Sequence, residues 1–346
     1  MQRHRVDFLD GLRGLSITLV IFFHYLGPVH QDIHPYSAGY IDPLAHWGWS
    51  GVEMFFLISG FVIFMTIERC NRLPTFILKR WIRLFPGMLI ATVLSFAFVS
   101  LSFMPLATNS TGNILDIIPG LTFVSPSFYH AIFKIKFESL DPVFWTLYTE
   151  VAFYLLFSVM YFAAGWRVAI AGLLAIAIIT LVGPSLLAST HLPKVLVRSL
   201  EPLQWLRMDL LGWFASGALF FKARQMRSNG LFFVALLVGI GSALLQSGSS
   251  LAWQDHAVLL IIVALFAGAQ KSIELQRLFA APPMKFMGYI SYPLYLIHNT
   301  IGNSTLGWAG RAFPNAEPIF VISVVMRPLL PRHTSLRAGS NQPQSD

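Results

Sequence analysis

Charge is scarce in this chain. Only 12% of its 346 residues are Asp, Glu, Lys or Arg, about half the share of an average soluble domain. The deficit is uneven: long blocks carry almost no charge, and the charged residues gather in short connections. A soluble fold cannot hide that much apolar surface, because burial is limited by surface-to-volume scaling. Lipid accepts it. Cysteine is scarcer still. The single Cys70 excludes a disulfide within the chain and any Cys-based metal site. An internal repeat, a low-complexity linker and an appended soluble domain are all missing. The net charge of +8 is not collected on one soluble face, so nothing reads as a nucleic-acid footprint.

What is present is hydrophobic sequence, 55% of the chain. A helix crossing about 30 Å of hydrocarbon needs about 20 mostly apolar residues. Blocks of this kind run roughly over Leu12–Leu26, Trp47–Ile67, Leu84–Met104, Val143–Ala164, Val168–Leu187, Leu210–Phe221, Leu231–Leu245, Trp253–Ala269 and Phe286–Leu306, with a tenth beginning near Pro318. The sixth and seventh are short. The first lacks a small-residue cleavage site after its apolar run, so it reads as an uncleaved helix and not a signal peptide. With the N-terminus inside, alternation puts eighteen of the twenty-four Lys and Arg in cytoplasmic segments, in agreement with the positive-inside rule. The expected fold is an all-α polytopic membrane protein of about ten spans with a cytoplasmic N-terminus. Residues 1–330 form the membrane domain, and 331–346 a polar tail that reads as disordered. Ile319–Met326 offers only eight apolar residues, about 12 Å of helix, so the last span reads as shortened, completed by Leu329 and Leu330, or lost through truncation or a changed reading frame.

Four ionisable residues fall inside apolar blocks: His24, Glu53, Glu150 and His298. Each costs about 3 kcal/mol or more at the bilayer centre, which makes it a functional candidate. At 1.5 Å per residue, His24 and His298 lie roughly 18 Å from the inner face, Glu150 roughly 10 Å and Glu53 roughly 9 Å from the outer one. Four helices thus bring polar groups to similar depth, which predicts one polar cavity just outside the midplane. Arg13 precedes His24 by eleven residues on nearly the same helix face, and Asp10 is one turn away to pair with it. Arg80 and Arg83 share a face near the inner mouth. Guanidinium forks suit phosphate oxygens, so these three arginines suit a phosphorylated ligand. Blander readings stand beside these. The arginines serve equally as topology anchors, His24 as a structural histidine, Glu150 as a neutralising carboxylate and Glu53 as an interfacial one. In the outer loop, His30, Asp32, His34, Asp42 and His46 read more simply as a polar loop than as a metal cluster, and no metal is assigned.

At these residues the chain resembles the acyltransferase-3 family of membrane O-acyltransferases, over roughly residues 6 to 300. Five segments appear in the family's order. They are Phe8-Leu-Asp-Gly-Leu-Arg-Gly14 followed by His24, then Gly51-Val-Glu-Met-Phe-Phe-Leu-Ile-Ser-Gly-Phe61, then Phe76-Ile-Leu-Lys-Arg-Trp-Ile-Arg-Leu-Phe-Pro86. Phe144-Trp-Thr-Leu-Tyr-Thr-Glu150 through Tyr154 and Ile290-Ser-Tyr-Pro-Leu-Tyr-Leu-Ile-His298 complete the set. Glu53 stands where the family often has Asp. The resemblance implies a ten-helix fold and transfer of an acyl group, often acetyl, from acyl-CoA to a hydroxyl of a carbohydrate or glycolipid, such as surface polysaccharide or lipopolysaccharide. Acyl-CoA is then a co-substrate, with no tightly bound cofactor.

On this reading His24 is the general base, since neutral imidazole is suited to take a hydroxyl proton. Glu150 orients His24 or holds the acceptor, and Arg13, Arg80 and Arg83 grip the phosphates of CoA. Asp10, Glu53 and His298 complete the expected binding set. The partners are acyl-CoA, the glycan acceptor and membrane lipids, and the location is a bacterial inner membrane. The competing readings are a proton-coupled transporter, which also uses buried His and Glu, and a catalytically degenerate family member.

Overall fold

The structure is a computed structural model that describes residues 7–27, 33, 42–101, 110, 112–189, 199–246 and 252–313. Every regular element among them is helical. The principal helices are α1 (Asp7–Leu26), α2 (Gly51–Ile67), α3 (Leu73–Leu101), α4 (Trp145–Ala164), α5 (Trp166–Ser189), α6 (Leu211–Met226), α7 (Asn229–Leu245), α8 (Trp253–Lys271), α9 (Ile273–Phe279), α10 (Pro282–Ile297) and α11 (Asn303–Ala312). Short helical turns at Asp42–His46, Ile117–Thr122, Pro126–Phe133 and Glu201–Trp205 fill the connections.

Among the described residues, six helical stretches are long and apolar enough to cross a membrane: Asp7–Leu26, Leu44–Ile67, Leu73–Leu101, Pro142–Ala164, Trp166–Leu187 and Trp253–Lys271. Their outward faces carry exposed Leu, Ile and Val, such as Ile90 at 60% and Ile178 at 55%, as a lipid-facing surface requires. The protein is therefore a polytopic membrane protein. The helices α6, α7 and α10 have 16, 17 and 16 residues, about 24–26 Å at 1.5 Å per residue, short of a full crossing by themselves. From α10, however, the helix runs unbroken through a π turn at His298–Gly302 to Ala312. Two expected boundaries move. The first helix starts at Asp7, not Leu12, and the third at Leu73, not Leu84. The tenth block, the short segment 319–326 and the tail 331–346 lie outside the described residues, as do Arg3, Arg5, His30, Asp32 and His34.

Local chemistry explains several helix ends. Gly165, at φ 84°, caps α4 through its N–H to Tyr161 O and turns the chain into α5; a positive φ is cheap only for glycine. Ser228 and Ser272 open α7 and α9 by accepting the N–H of Leu231 and Leu275, satisfying donors that a helix start leaves unpaired.

Two tight helix pairs position everything else. The pair α1–α10 meets at Gly14 and Gly288, and α2–α6 meets at Gly60 and Gly217. A Cβ on Gly288 would sit 1.7 Å from Asp10 O, one on Gly60 2.0 Å from Phe214 O, and one on Gly217 1.9 Å from Leu57 O. Small residues that let backbones approach this closely drive helix association where lipid supplies no hydrophobic force. Aromatic rings fill the space around the second pair: Phe153 stacks on Phe214 at 4.1 Å, and Phe214 in turn meets Phe56 at 4.6 Å.

This packing gives a direct test. Gly60→Val or Gly288→Val should destabilise the detergent-purified protein by about 1–3 kcal/mol or more through overpacking, seen as a lower melting temperature or loss of the monodisperse peak. Gly241→Ala, where an added Cβ meets nothing within 4 Å, should change the melting temperature little.

Candidate active site

A cavity of about 630 Å³ runs through the bundle between α1, α2, α3, α4 and α10. Arg13, Arg80, Arg83, Asp10 and Glu150 all line it. It therefore collects five of the eight residues expected from sequence.

The positions follow from helix spacing. Asp10 and Arg13 stand one turn apart on α1, and Asp10 Oδ1 receives a long 3.5 Å hydrogen bond from Arg13 Nη1. Arg80 and Arg83, also one turn apart, lie well inside α3, because that helix begins at Leu73. Arg80 is 7% exposed. Its guanidinium sits between the rings of Phe76 and Tyr154, 5.7 and 5.8 Å from their centroids, and its Nε has no hydrogen-bond partner among the described residues. An unsatisfied buried donor costs free energy, and in a cavity wall it is a place for a ligand oxygen. Arg13, Arg83, Glu150 and Tyr154 lie within electrostatic reach of one another.

Glu150 is held from two sides. Ser59 on α2 donates to its Oε1 at 2.6 Å, and Tyr154, one turn further along α4, donates a short hydrogen bond to the same oxygen. The carboxylate is thus fixed inside the cavity by two hydroxyls. Tyr154 was legible from its i+4 spacing to Glu150; Ser59 carried no such signal.

His24 and His298 are brought together, but not into this cavity. Their ring centroids are 4.7 Å apart in an edge-to-face arrangement, and His298 Nε2 lies 3.4 Å from His24 Nδ1. Each Nδ1 also faces a backbone carbonyl, Val20 O at 2.9 Å for His24 and Tyr295 O at 2.7 Å for His298. A carbonyl can only accept, so each Nδ1 carries a proton, and each neutral ring keeps its lone pair on Nε2. Of the four residues expected to share one cavity, only Glu150 lines this one; His24 falls in the last turn of α1.

Tyr295 forms the boundary between the two groups. Its ring lines the cavity and lies 5.3 Å from His298. Its hydroxyl accepts from Thr146 at 2.9 Å and donates to Val143 O at 3.3 Å. Behind it a buried knot holds the π turn. Asp141 accepts from Val143 N at 3.1 Å, Asn299 Nδ2 at 3.0 Å and Thr300 N at 3.1 Å. Nothing in the sequence singled out Asp141 or Asn299, because the contact joins positions 158 residues apart.

Glu53 is the other displaced residue. It does not line the cavity. Its Oε1 accepts from Gln246 Nε2 at 2.8 Å, while Gln246 Oε1 accepts from Trp213 Nε1 at 2.8 Å. This chain of bonds braces α2 against α6 and the end of α7, so the structure gives Glu53 a bracing contact in place of a ligand-facing one. Among the described residues no group of three or more His, Cys, Asp or Glu is arranged to hold a metal ion.

Comparison with known proteins identifies the family. A family model described as an acyltransferase domain matches residues 6–328. Nodulation protein 10 of Rhizobium leguminosarum bv. viciae is 30% identical over 169 residues, a stretch that covers 44% of this chain and 43% of that protein. No solved structure matches the chain. With the family match running across the arginine-lined cavity and both histidines, the chain belongs to the acyltransferase-3 family of membrane O-acyltransferases.

Proposed function

We propose that this protein moves an acyl group, acetyl in the first instance, from acyl-CoA to a hydroxyl of a carbohydrate or glycolipid acceptor. The observation that carries the reading is the cavity in which Arg13, Arg80 and Arg83 meet one fixed carboxylate. Two of these arginines are one turn apart on a single helix and the third faces them from α1, an array suited to a diphosphate. A proton-coupled carrier would have little use for three guanidinium groups around two carboxylates, and broken half-helices in paired repeats are not evident among the described residues.

Acyl transfer needs a base for the hydroxyl, placement of the thioester and a stabilised oxyanion. The phosphates of CoA sit against Arg13, Arg80 and Arg83, and the extended pantetheine arm runs along the cavity toward Tyr295. Arg13 and His24 are separated by about 16 Å along α1, eleven residues at 1.5 Å each. Displacement of the Tyr295 ring joins the cavity to the imidazole pair. His24 Nε2 takes the acceptor's hydroxyl proton as the oxygen attacks the thioester carbonyl. The C–S bond then breaks, and the thiolate of CoA recovers that proton from the imidazolium. His298 packs against His24 and sets its orientation. On this reading the N-terminus and the arginine end of the bundle face the cytoplasm, where acyl-CoA is made, and the chain crosses a bacterial inner membrane about ten times.

A second reading rests on one observation: Glu150 lines the cavity and His24 does not. In it Glu150 is the base, and the imidazole pair is structural.

The first two of the following variants separate these readings, and the others test the donor site. His24→Ala should abolish acyl transfer from labelled acetyl-CoA, while the purified protein still binds CoA. Normal transfer by that variant, together with loss in Glu150→Gln, would assign the base to Glu150. Arg80→Gln and Arg83→Gln should each weaken CoA binding about tenfold or more, from about 1.5–3 kcal/mol per charged hydrogen bond, with a smaller effect on turnover at saturating donor. Tyr295→Phe removes the hydroxyl that bonds Thr146 and Val143; it should leave CoA affinity within about twofold and change the turnover rate, as calorimetry and single-turnover kinetics would read.

A further inference from the structure

A second cavity, of about 790 Å³, opens at the same end of the bundle. The start of α1 supplies Asp7 and Phe8, the end of α2 Met65 and Arg69, the end of α6 Arg224, and α9 Arg277. It is separate from the arginine-lined cavity already described. The two cavities have no lining residue in common.

The charges in it are unbalanced. Asp7 is paired with Lys285 at 3.0 Å, and Glu68 with Lys222 at 2.8 Å. That leaves Arg69, Arg224 and Arg277, all exposed, with no salt bridge among the described residues. The Arg224 guanidinium lies over the Phe8 ring at 5.7 Å, which holds it at the cavity wall. Beneath the guanidinium groups the floor is apolar, made by Phe8, Met65 and Phe221. The rim is amphipathic. Ile273 and Leu278 on the short helix α9 are 56% and 58% exposed, on the same helix that carries Arg277. Exposed apolar residues beside a basic rim suit the boundary between headgroups and acyl chains. Topology alone accounts for arginines at this end of the bundle, but not for three unpaired ones converging on an apolar-floored hollow.

We propose that this cavity binds the headgroup of an anionic phospholipid, its phosphate held by Arg69, Arg224 and Arg277, with the acyl chains lying along Ile273 and Leu278 of α9. Basic pockets between membrane helices recognise anionic headgroups in this way. The proposal depends neither on the acyl donor nor on the identity of the base.

The test uses the full chain, purified in neutral detergent and titrated with phosphatidylglycerol or phosphatidylcholine, with binding read by native mass spectrometry and thermal shift. Phosphatidylglycerol should bind and raise the melting temperature, and phosphatidylcholine should not. Arg69→Gln, Arg224→Gln and Arg277→Gln should each weaken binding on the order of fivefold, and the triple variant should bind both lipids alike. Without lipid, Arg277→Gln should melt with the unsubstituted protein, so it decides the matter if the triple variant fails to fold. Equal binding of the two lipids by the unsubstituted protein would overturn the proposal, as would unchanged phosphatidylglycerol affinity in the variants. Displacement of the lipid by soluble adenosine 3′,5′-bisphosphate would overturn it in favour of a nucleotide site.

Discussion

Three guanidinium groups and two carboxylates share a cavity inside an apolar helix bundle, and the rest of the structure is arranged around keeping them there. Charge within a membrane is tolerated where it faces protein or a wet cavity. Here Arg13, Arg80 and Arg83 outnumber Glu150 and Asp10. The excess is positive, and a buried donor of Arg80 is left without a partner among the described residues. A bundle selected only for stability would pair or remove such groups, because one uncompensated buried charge outweighs many packing contacts. A polyanionic ligand is the compensation that the arrangement suits.

Geometry at the cavity depends on backbone contact elsewhere. Gly288 lets α10 touch α1 beside Asp10, and Gly60 and Gly217 let α2 touch α6. At the far end, Asp141 binds Asn299 and the Thr300 N–H of the π turn. A π turn inserts one residue into a helix and commonly marks a functional position. Here it begins at His298 and directs that ring at His24.

Much of this was legible before any coordinates. The apolar blocks located the helices, and the ends of α2, α4 and α7 fell within a few residues of expectation. The pairings Asp10–Arg13 and Arg80–Arg83 follow from one-turn spacing, but their convergence with Glu150 does not, because apolar-block counting grouped Glu150 with Glu53 and the two histidines, deeper than the arginines. Depth was less legible. Counting 1.5 Å per residue gives a position along one helix only when that helix's start is known. Asp7, Asp10 and Arg13 are charged, so hydropathy placed the start of α1 at Leu12, whereas the helix begins at Asp7 and carries His24 in its last turn. The partners of Glu53 could not be read at all. Gln246 lies 193 residues away, and no local pattern specifies which of several neighbouring helices a buried side chain will face.

The central claim is that the arginine-lined cavity holds the phosphates of an acyl donor, with its thioester directed at Tyr295 and the imidazole pair beyond. Its most direct test is an experimental structure of the protein with a non-hydrolysable acyl-CoA analogue in a lipid nanodisc. The account predicts phosphate density between Arg13, Arg80 and Arg83, the pantetheine arm passing Glu150, and the Tyr295 ring moved to admit the acyl group toward His24. An analogue bound elsewhere, with this cavity unchanged and Tyr295 still bonded to Thr146, would contradict it.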